Sequence, residues 1–148
     1  MARARNDALL ADMHLALLAE FGAHAMYGFL ARRSTDAELS SLLVRFGAEE
    51  EEQVERLRTL MVALGGNPPA RSRRRRFAAW LLYLTTWIGG RRLAMRLCLE
   101  SEETIAHWYG QYAVYLGEAG FVEHARTCGA LALTKRRHAL ALQAWVAR

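Results

Sequence analysis

Seven polar residues stand where apolar side chains belong, and all but one, an amide, can hold a proton, a cation or a metal ion. The first is Glu102, within Leu99–Tyr112 (LESEETIAHWYGQY). The apolar seam of that stretch runs Met95, Leu99, Ala106, Tyr109, Ala113, Leu116, and Glu102 fills its one missing step. Glu20 and His24 interrupt the stripe Met13, Leu17, Tyr27 in the same way. Glu50 and Gln53 sit on the seam Leu39, Leu43, Phe46, Leu57, Leu60, Leu64. Lys135 and His138 sit on the seam His124, Cys128, Leu131, Leu142, Trp145. A buried carboxylate without a partner is costly, so each of these acids requires a cation, a proton or a metal.

The elements that carry them are helices of about 25 residues, read from the three-and-four spacing of apolar positions. The first covers about 4–33, and the break Ser34-Thr35-Asp36 follows it. Thr35 with Glu38 fits a capping box for the second helix, about 36–64. Gly65-Gly66-Asn67-Pro68-Pro69 ends it. The third covers about 92–116, Gly117 and Gly120 bracket a turn, and the fourth covers about 121–146. The expected fold is all-α: a single domain, 1–148, folded as an antiparallel four-helix bundle with an amphipathic segment between helices two and three. Antiparallel packing brings helix midpoints to one level. Glu20, Glu50, Gln53, Glu102, Lys135 and His138 are therefore expected to share one polar layer, with His24 a turn away.

Such a layer has a chemical precedent. Di-iron carboxylate bundles take one Glu from each of two helices and a Glu-x-x-His from each of the other two. Here the set is Glu20, Glu102, Glu50-x-x-Gln53 and Lys135-x-x-His138. An amide is a poor iron ligand and an ammonium is none. Three glutamates and one lysine leave a charge that one divalent ion or two protons would balance. The expectation is accordingly no metal, or one divalent ion such as iron held by Glu50, Glu102 and His138. The metal-free arrangement, with Lys135 between the carboxylates, is the favoured one. Lys135 is the sole lysine of the chain, and a compact ammonium fits where a guanidinium would overfill.

Two further stretches carry information. Arg71–Arg76 contains five arginines and precedes the apolar run Phe77–Gly90. As a helix, 14 residues reach roughly 21 Å, short of a ~30 Å hydrocarbon core. Arg73, Arg74, Arg75 and Arg76 with Phe77, Trp80 and Trp87 read as an anchor at an anionic membrane surface. A core-capping helix behind a solvated basic loop is the competing reading, nearly as strong. The apolar segment is also a candidate contact between copies of the chain. The net charge of +5 admits nucleic acid as a partner class, but nothing pairs with the Arg run as a recognition element, so that class ranks last. Cys98 and Cys128 lack disulfide or metal-ligand spacing and read as reduced thiols. The expected location is cytoplasmic, peripheral on the inner face of the membrane.

The sequence resembles one family, the ferritin-like demethoxyubiquinone hydroxylases of ubiquinone biosynthesis. Glu20-Phe21-Gly22-Ala23 resembles the Glu-Tyr-Gly-Ala motif of that family. Glu102-Glu103-Thr104-Ile105-Ala106-His107-Trp108-Tyr109 resembles its Glu-Glu-Ser-Ile-Ala-His-His-Tyr. The resemblance covers roughly residues 8–145, and the segment before helix three corresponds to the family's membrane-interface region. It implies iron ligands at Glu20, Glu50, Glu102 and His138, a relay through His107 and Tyr109, and a quinone or other lipid-like ligand. Gln53 stands for a ligand His, Lys135 for a bridging Glu and Trp108 for a His. The implied function is thus either a binding protein that has lost the di-iron site or a mono-oxygenase with an atypical one-metal site.

Overall fold

The structure, a computed structural model, describes residues 2–70 and 73–148, with side chains given for 6–70, 80, 84 and 87–148. It is all-helical: α1 (Ala2–Arg33), α2 (Ala37–Ala63), α3 (Arg73–Glu118) and α4 (Val122–Val146), with no strand among the described residues. The helices form two compact units, one ending at Gly90 and one spanning Arg91–Arg148. The boundary is a local backbone event. Gly90 has φ 73° and ψ −174°, a region essentially closed to residues with a Cβ. It divides α3 into helical stretches 73–89 and 91–118. The Gly89-Gly90 pair marked this end of the apolar run in the sequence.

In the first unit α1 and α2 form an antiparallel hairpin. Its register is fixed by four contacts. Asn6 Nδ2 donates to the Leu64 carbonyl at 3.0 Å, and Ser40 Oγ donates to the Ala31 carbonyl at 3.0 Å. His24 Nδ1 donates to the Gly47 carbonyl at 2.9 Å. The Tyr27 and Phe46 rings meet edge to face, centroids 5.7 Å apart. Followed along the hairpin, this register sets Glu20 opposite residues 50–53. Met13, Leu17 and Tyr27 of α1 and Leu39, Leu43, Phe46, Leu57 and Leu60 of α2 are buried, as their spacing predicts. Each such side chain contributes about 1.5–3 kcal/mol relative to exposure.

The expected capping box is replaced by a different cap. Asp36, not Thr35, is the N-cap of α2, and its carboxylate accepts from Leu39 N at 3.0 Å. The connection between Arg33 and Ala37 is short, and Ser34 Oγ, donating to the Asp36 carbonyl, already organises it. Thr35 is left exposed. At the other end, Gly66 N donates to Met61 O and Gly65 N to Val62 O, with Gly65 at φ 84°. This is a Schellman motif, and α3 ends in another at Gly120, φ 86°.

In the second unit the 91–118 stretch pairs with α4. Its buried line is Met95, Cys98, Glu102, Ile105, Tyr109, Tyr112, Leu116. The expected line used Leu99, Ala106 and Ala113 as the intermediate steps. Leu99 and Ala113 are only half-buried. The two lines share a residue every seven positions and differ by one between them. The larger side chains Ile105 and Tyr112 fill the interior, as close packing favours. The α4 seam is as expected from Cys128 to Trp145.

Asp36→Ala should lower unfolding free energy by about 1 kcal/mol, the ordinary cost of a lost N-cap. Gly90→Ala should cost about 1–3 kcal/mol through backbone strain alone. Urea denaturation of both variants measures these losses, with the exposed Ala37→Ser as a control.

Candidate functional site

Each unit buries a polar group on its helix seam. In the first, Glu20 and Glu50 are wholly buried and Gln53 is 4% exposed. Of the run Glu49–Glu52, only Glu50 is buried, as the seam predicts. Gln53 Nε2 donates back to the Glu49 carbonyl at 3.2 Å. That bond fixes which end of the amide is which. Gln53 Oε1 is buried and accepts no hydrogen bond among the described residues.

The second unit holds Glu102, Lys135 and His138, each at most 1% exposed. Lys135 Nζ lies 3.4 Å from Glu102 Oε2, and His138 Nδ1 lies 3.5 Å from Glu102 Oε1. The geometry follows from helical spacing. Lys135 and His138 are three residues apart, so both project from one face of α4 and bracket the carboxylate of the facing helix. Arg136 and Arg137, between them in sequence, are exposed. Glu103, next to Glu102, is exposed too.

The energetics define what the pair does. Two unit charges at this separation attract by about 5 kcal/mol at an effective dielectric of 20. Withdrawing each ion from water costs several kcal/mol. The pair is thus close to break-even as a source of stability. Its consequence is electrostatic: it sets a lysine ammonium against a buried carboxylate.

That cation tests the metal expectation. A pair of divalent irons does not fit this donor set. Lys135 offers no lone pair, and its ammonium would stand within a few ångströms of any ion bound by Glu102. A single divalent ion is less demanding: Glu102 and His138 of the second unit, and Glu50 of the first, are each buried and of suitable ligand types.

Other expected site residues fall elsewhere. His24 is not a core residue: its side chain is 37% exposed, with Nε2 3.6 Å from Glu51 Oε2. Its Nδ1 reaches the Gly47 carbonyl across the hairpin, while Nε2 faces the half-exposed Glu51. His107 is exposed while Tyr109 is fully buried. Two residues are about 200° apart around a helix, so His107 and Tyr109 cannot both face the Glu102 side. Of the membrane-anchor residues, Trp80 and Trp87 are exposed, at 40% and 57%, and Ile88 beside them at 95%. The Arg33 guanidinium lies over the Trp87 ring, 3.5 Å from its centroid. The side chains of Arg73, Arg74, Arg75, Arg76 and Phe77 lie outside the described residues. No helix among the described residues is long and apolar enough to cross a membrane.

No sequence pattern marks the His24–Glu51 pair, because its existence depends on the α1–α2 register. Residue spacing carries only a partial sign of the thiol environment. Cys98 and Cys128 are buried thiols outside any disulfide, and desolvation pushes the Cys128 thiol up to about 12.

Fold and site together define an all-helical, four-helix protein whose interior carries an acid–ammonium–imidazole cluster. Comparison with protein-family models, curated proteins and solved structures finds no match.

Lys135→Met should destabilise the protein by about 3–5 kcal/mol, since it leaves Glu102 buried without its ammonium. Arg136→Met, one residue on and exposed, should change stability by less than about 0.5 kcal/mol. Chemical denaturation separates the two. Cys128 should react with a thiol-directed disulfide reagent only when the chain unfolds, because the nucleophile is the thiolate; labelling with and without denaturant, read by mass spectrometry, checks this.

Proposed function

We propose that this chain is a ferritin-like protein of the membrane interface, similar to the demethoxyubiquinone hydroxylases, that has exchanged di-iron chemistry for binding of a quinone or other lipid-like ligand. The observation that carries the reading is Lys135, fully buried and 3.4 Å from Glu102. In the family pattern that position belongs to a metal-bridging carboxylate. Here it supplies positive charge from the protein itself, which removes the need for one divalent ion. Gln53, replacing a ligand His, points the same way.

Three features support the family part of the reading. These are the two motif stretches beginning at Glu20 and Glu102, the burial of both leading glutamates, and the all-helical architecture. The interface part rests on the exposed Trp80, Trp87 and Ile88 of the 73–89 stretch and its C-terminal neighbour, following an Arg-rich segment. Trp80 and Trp87 are seven residues apart, so they share one helix face. Aromatic rings beside arginines suit the headgroup level of an anionic membrane.

A second reading keeps redox chemistry. Glu50, Glu102 and His138, each buried, are two carboxylates and an imidazole, the ligand types that hold one iron. In that case the protein is an oxidoreductase with an atypical mononuclear site, and Lys135 lowers its metal affinity.

Metal analysis discriminates. Protein purified without chelator and loaded anaerobically with ferrous ion should hold no tightly bound iron. One iron per chain, lost in Glu102→Gln, supports the second reading, and two irons in the wild type overturn both. The double variant Lys135→Glu, Gln53→His restores the six ligand types and should bind up to two irons, with a melting temperature that rises with ferrous ion. For the membrane part, wild type should float with anionic liposomes containing ubiquinone. Arg73, Arg74, Arg75 and Arg76 replaced together by Ser should weaken binding by about 1 kcal/mol per charge. Unchanged flotation refutes the membrane part.

A further inference from the structure

His24 of α1 and Glu51 of α2 face each other across the first hairpin, apart from the buried acids. His24 Nδ1 donates to the Gly47 carbonyl at 2.9 Å. A carbonyl can only accept, so the ring carries its hydrogen on Nδ1. Nε2 lies 3.6 Å from Glu51 Oε2. An ionised carboxylate also only accepts, so two acceptor atoms stand face to face unless a cation lies between them. That cation is either a second proton on the ring or a metal ion.

Distance separates these two. An imidazolium N–H bonds a carboxylate at about 2.7–2.9 Å, and 3.6 Å is too long for a hydrogen bond. Two ligands of one tetrahedral ion are spaced differently. With bonds of about 2.0–2.1 Å to imidazole nitrogen and about 2.0–2.2 Å to carboxylate oxygen, they stand about 3.4 Å apart. An octahedral shell with bonds of about 2.1 Å sets neighbouring ligands about 3.0 Å apart. The separation of His24 and Glu51 is closest to the tetrahedral value.

The surroundings suit the same ion. A metal-ligating histidine ordinarily donates its other ring N–H to a carbonyl or carboxylate, which fixes the tautomer and aims the lone pair at the metal. The Gly47 carbonyl has that place for His24. The two side chains are 37% and 45% exposed, so an ion in solution can reach them. They line an open groove of about 540 Å³ with Gly28, Arg32 and Gly47, and two waters have room there to complete a shell of four. One feature opposes a cation. Arg32 Nη1 comes within 3.8 Å of the place a Gly28 Cβ would take, one turn from His24.

We propose that His24 Nε2 and Glu51 Oε2 are a two-ligand site for a tetrahedral divalent transition ion, Zn²⁺ above all, that staples α1 to α2. Only half of the ligands come from the protein, so the ion exchanges with solution. The site shares no residue with Glu50, Glu102 and His138, and it does not depend on whether those hold a metal.

Calorimetric titration of ZnCl₂ into the metal-free full chain near neutral pH tests this. Wild type should take up one Zn²⁺ at this site. His24→Ala and Glu51→Gln should each weaken uptake by about tenfold or more, at least the cost of losing an outer-shell partner. Both positions are half-exposed, and circular dichroism checks that the helices persist. Arg32→Gln should tighten uptake, since it removes the opposing charge. Zn²⁺ should raise the melting temperature of wild type and leave that of His24→Ala unchanged. Nitrogen NMR of the imidazole rings locates the ion without any variant: the His24 signals should shift with Zn²⁺ and those of His138 should not. Uptake that survives Glu102→Gln belongs to the hairpin, whereas iron lost in Glu102→Gln belongs to the buried donors. Absence of Zn²⁺ uptake below millimolar concentration overturns the proposal. So does uptake that neither His24→Ala nor Glu51→Gln weakens, or a shift confined to His138.

Discussion

A carboxylate withdrawn from water imposes a condition that the rest of its surroundings must meet. Glu102 meets it with an ammonium on one oxygen and an imidazole near the other. Both come from one face of α4, and that is possible only because the helix presents residues three apart side by side. The packing around them follows from the same geometry. Cys98, Ile105, Tyr109 and Tyr112 are buried along the same side of α3 as the carboxylate, and Cys128, Leu131 and Leu142 along the same side of α4 as its partners. Apolar surroundings raise the cost of any unpaired charge, so burial and pairing are mutually dependent here.

The first unit meets a related condition differently. Its buried acids, Glu20 and Glu50, occupy one level of an antiparallel hairpin whose register is set several turns away by Asn6, Ser40 and the Tyr27–Phe46 contact. Beside them is an amide held by a backbone carbonyl, with its own oxygen directed elsewhere. An amide hydrogen-bonds much as an imidazole does but is a poor metal ligand, and in the second unit Lys135 sets positive charge of the protein's own against Glu102.

The helical surfaces outside these clusters are not uniform. The stretch before Gly90 exposes tryptophan and isoleucine, α2 exposes a row of acids, and α4 exposes leucines between arginines. Exposed apolar side chains are ordinary when scattered. Grouped on one helix face and edged with charge, they define surfaces with a preferred kind of neighbour.

The sequence by itself determined the helices, their ends to within a few residues, and the six polar seam positions. It could do so because a 3.6-residue period, glycine and proline punctuation, and a charge on an apolar stripe are all local signals. Burial of Glu20, Glu50, Gln53, Glu102, Lys135 and His138 was legible for that reason. Tertiary structure alone decided finer matters. Two seams one residue apart are equally periodic in α3, and only packing selects Cys98 and Tyr112 over Leu99 and Ala113, while Ile105 and Ala106 are both buried. His24 satisfies the α1 period yet lies at the half-exposed edge, where the hairpin register sets its ring against the Gly47 carbonyl and Glu51. Asp36 caps α2 instead of Thr35 because a short turn fixes which side chain reaches the first free amide. The groove over Gly28 and Gly47 exists only once two helices meet in register, so no pattern along either helix announces it.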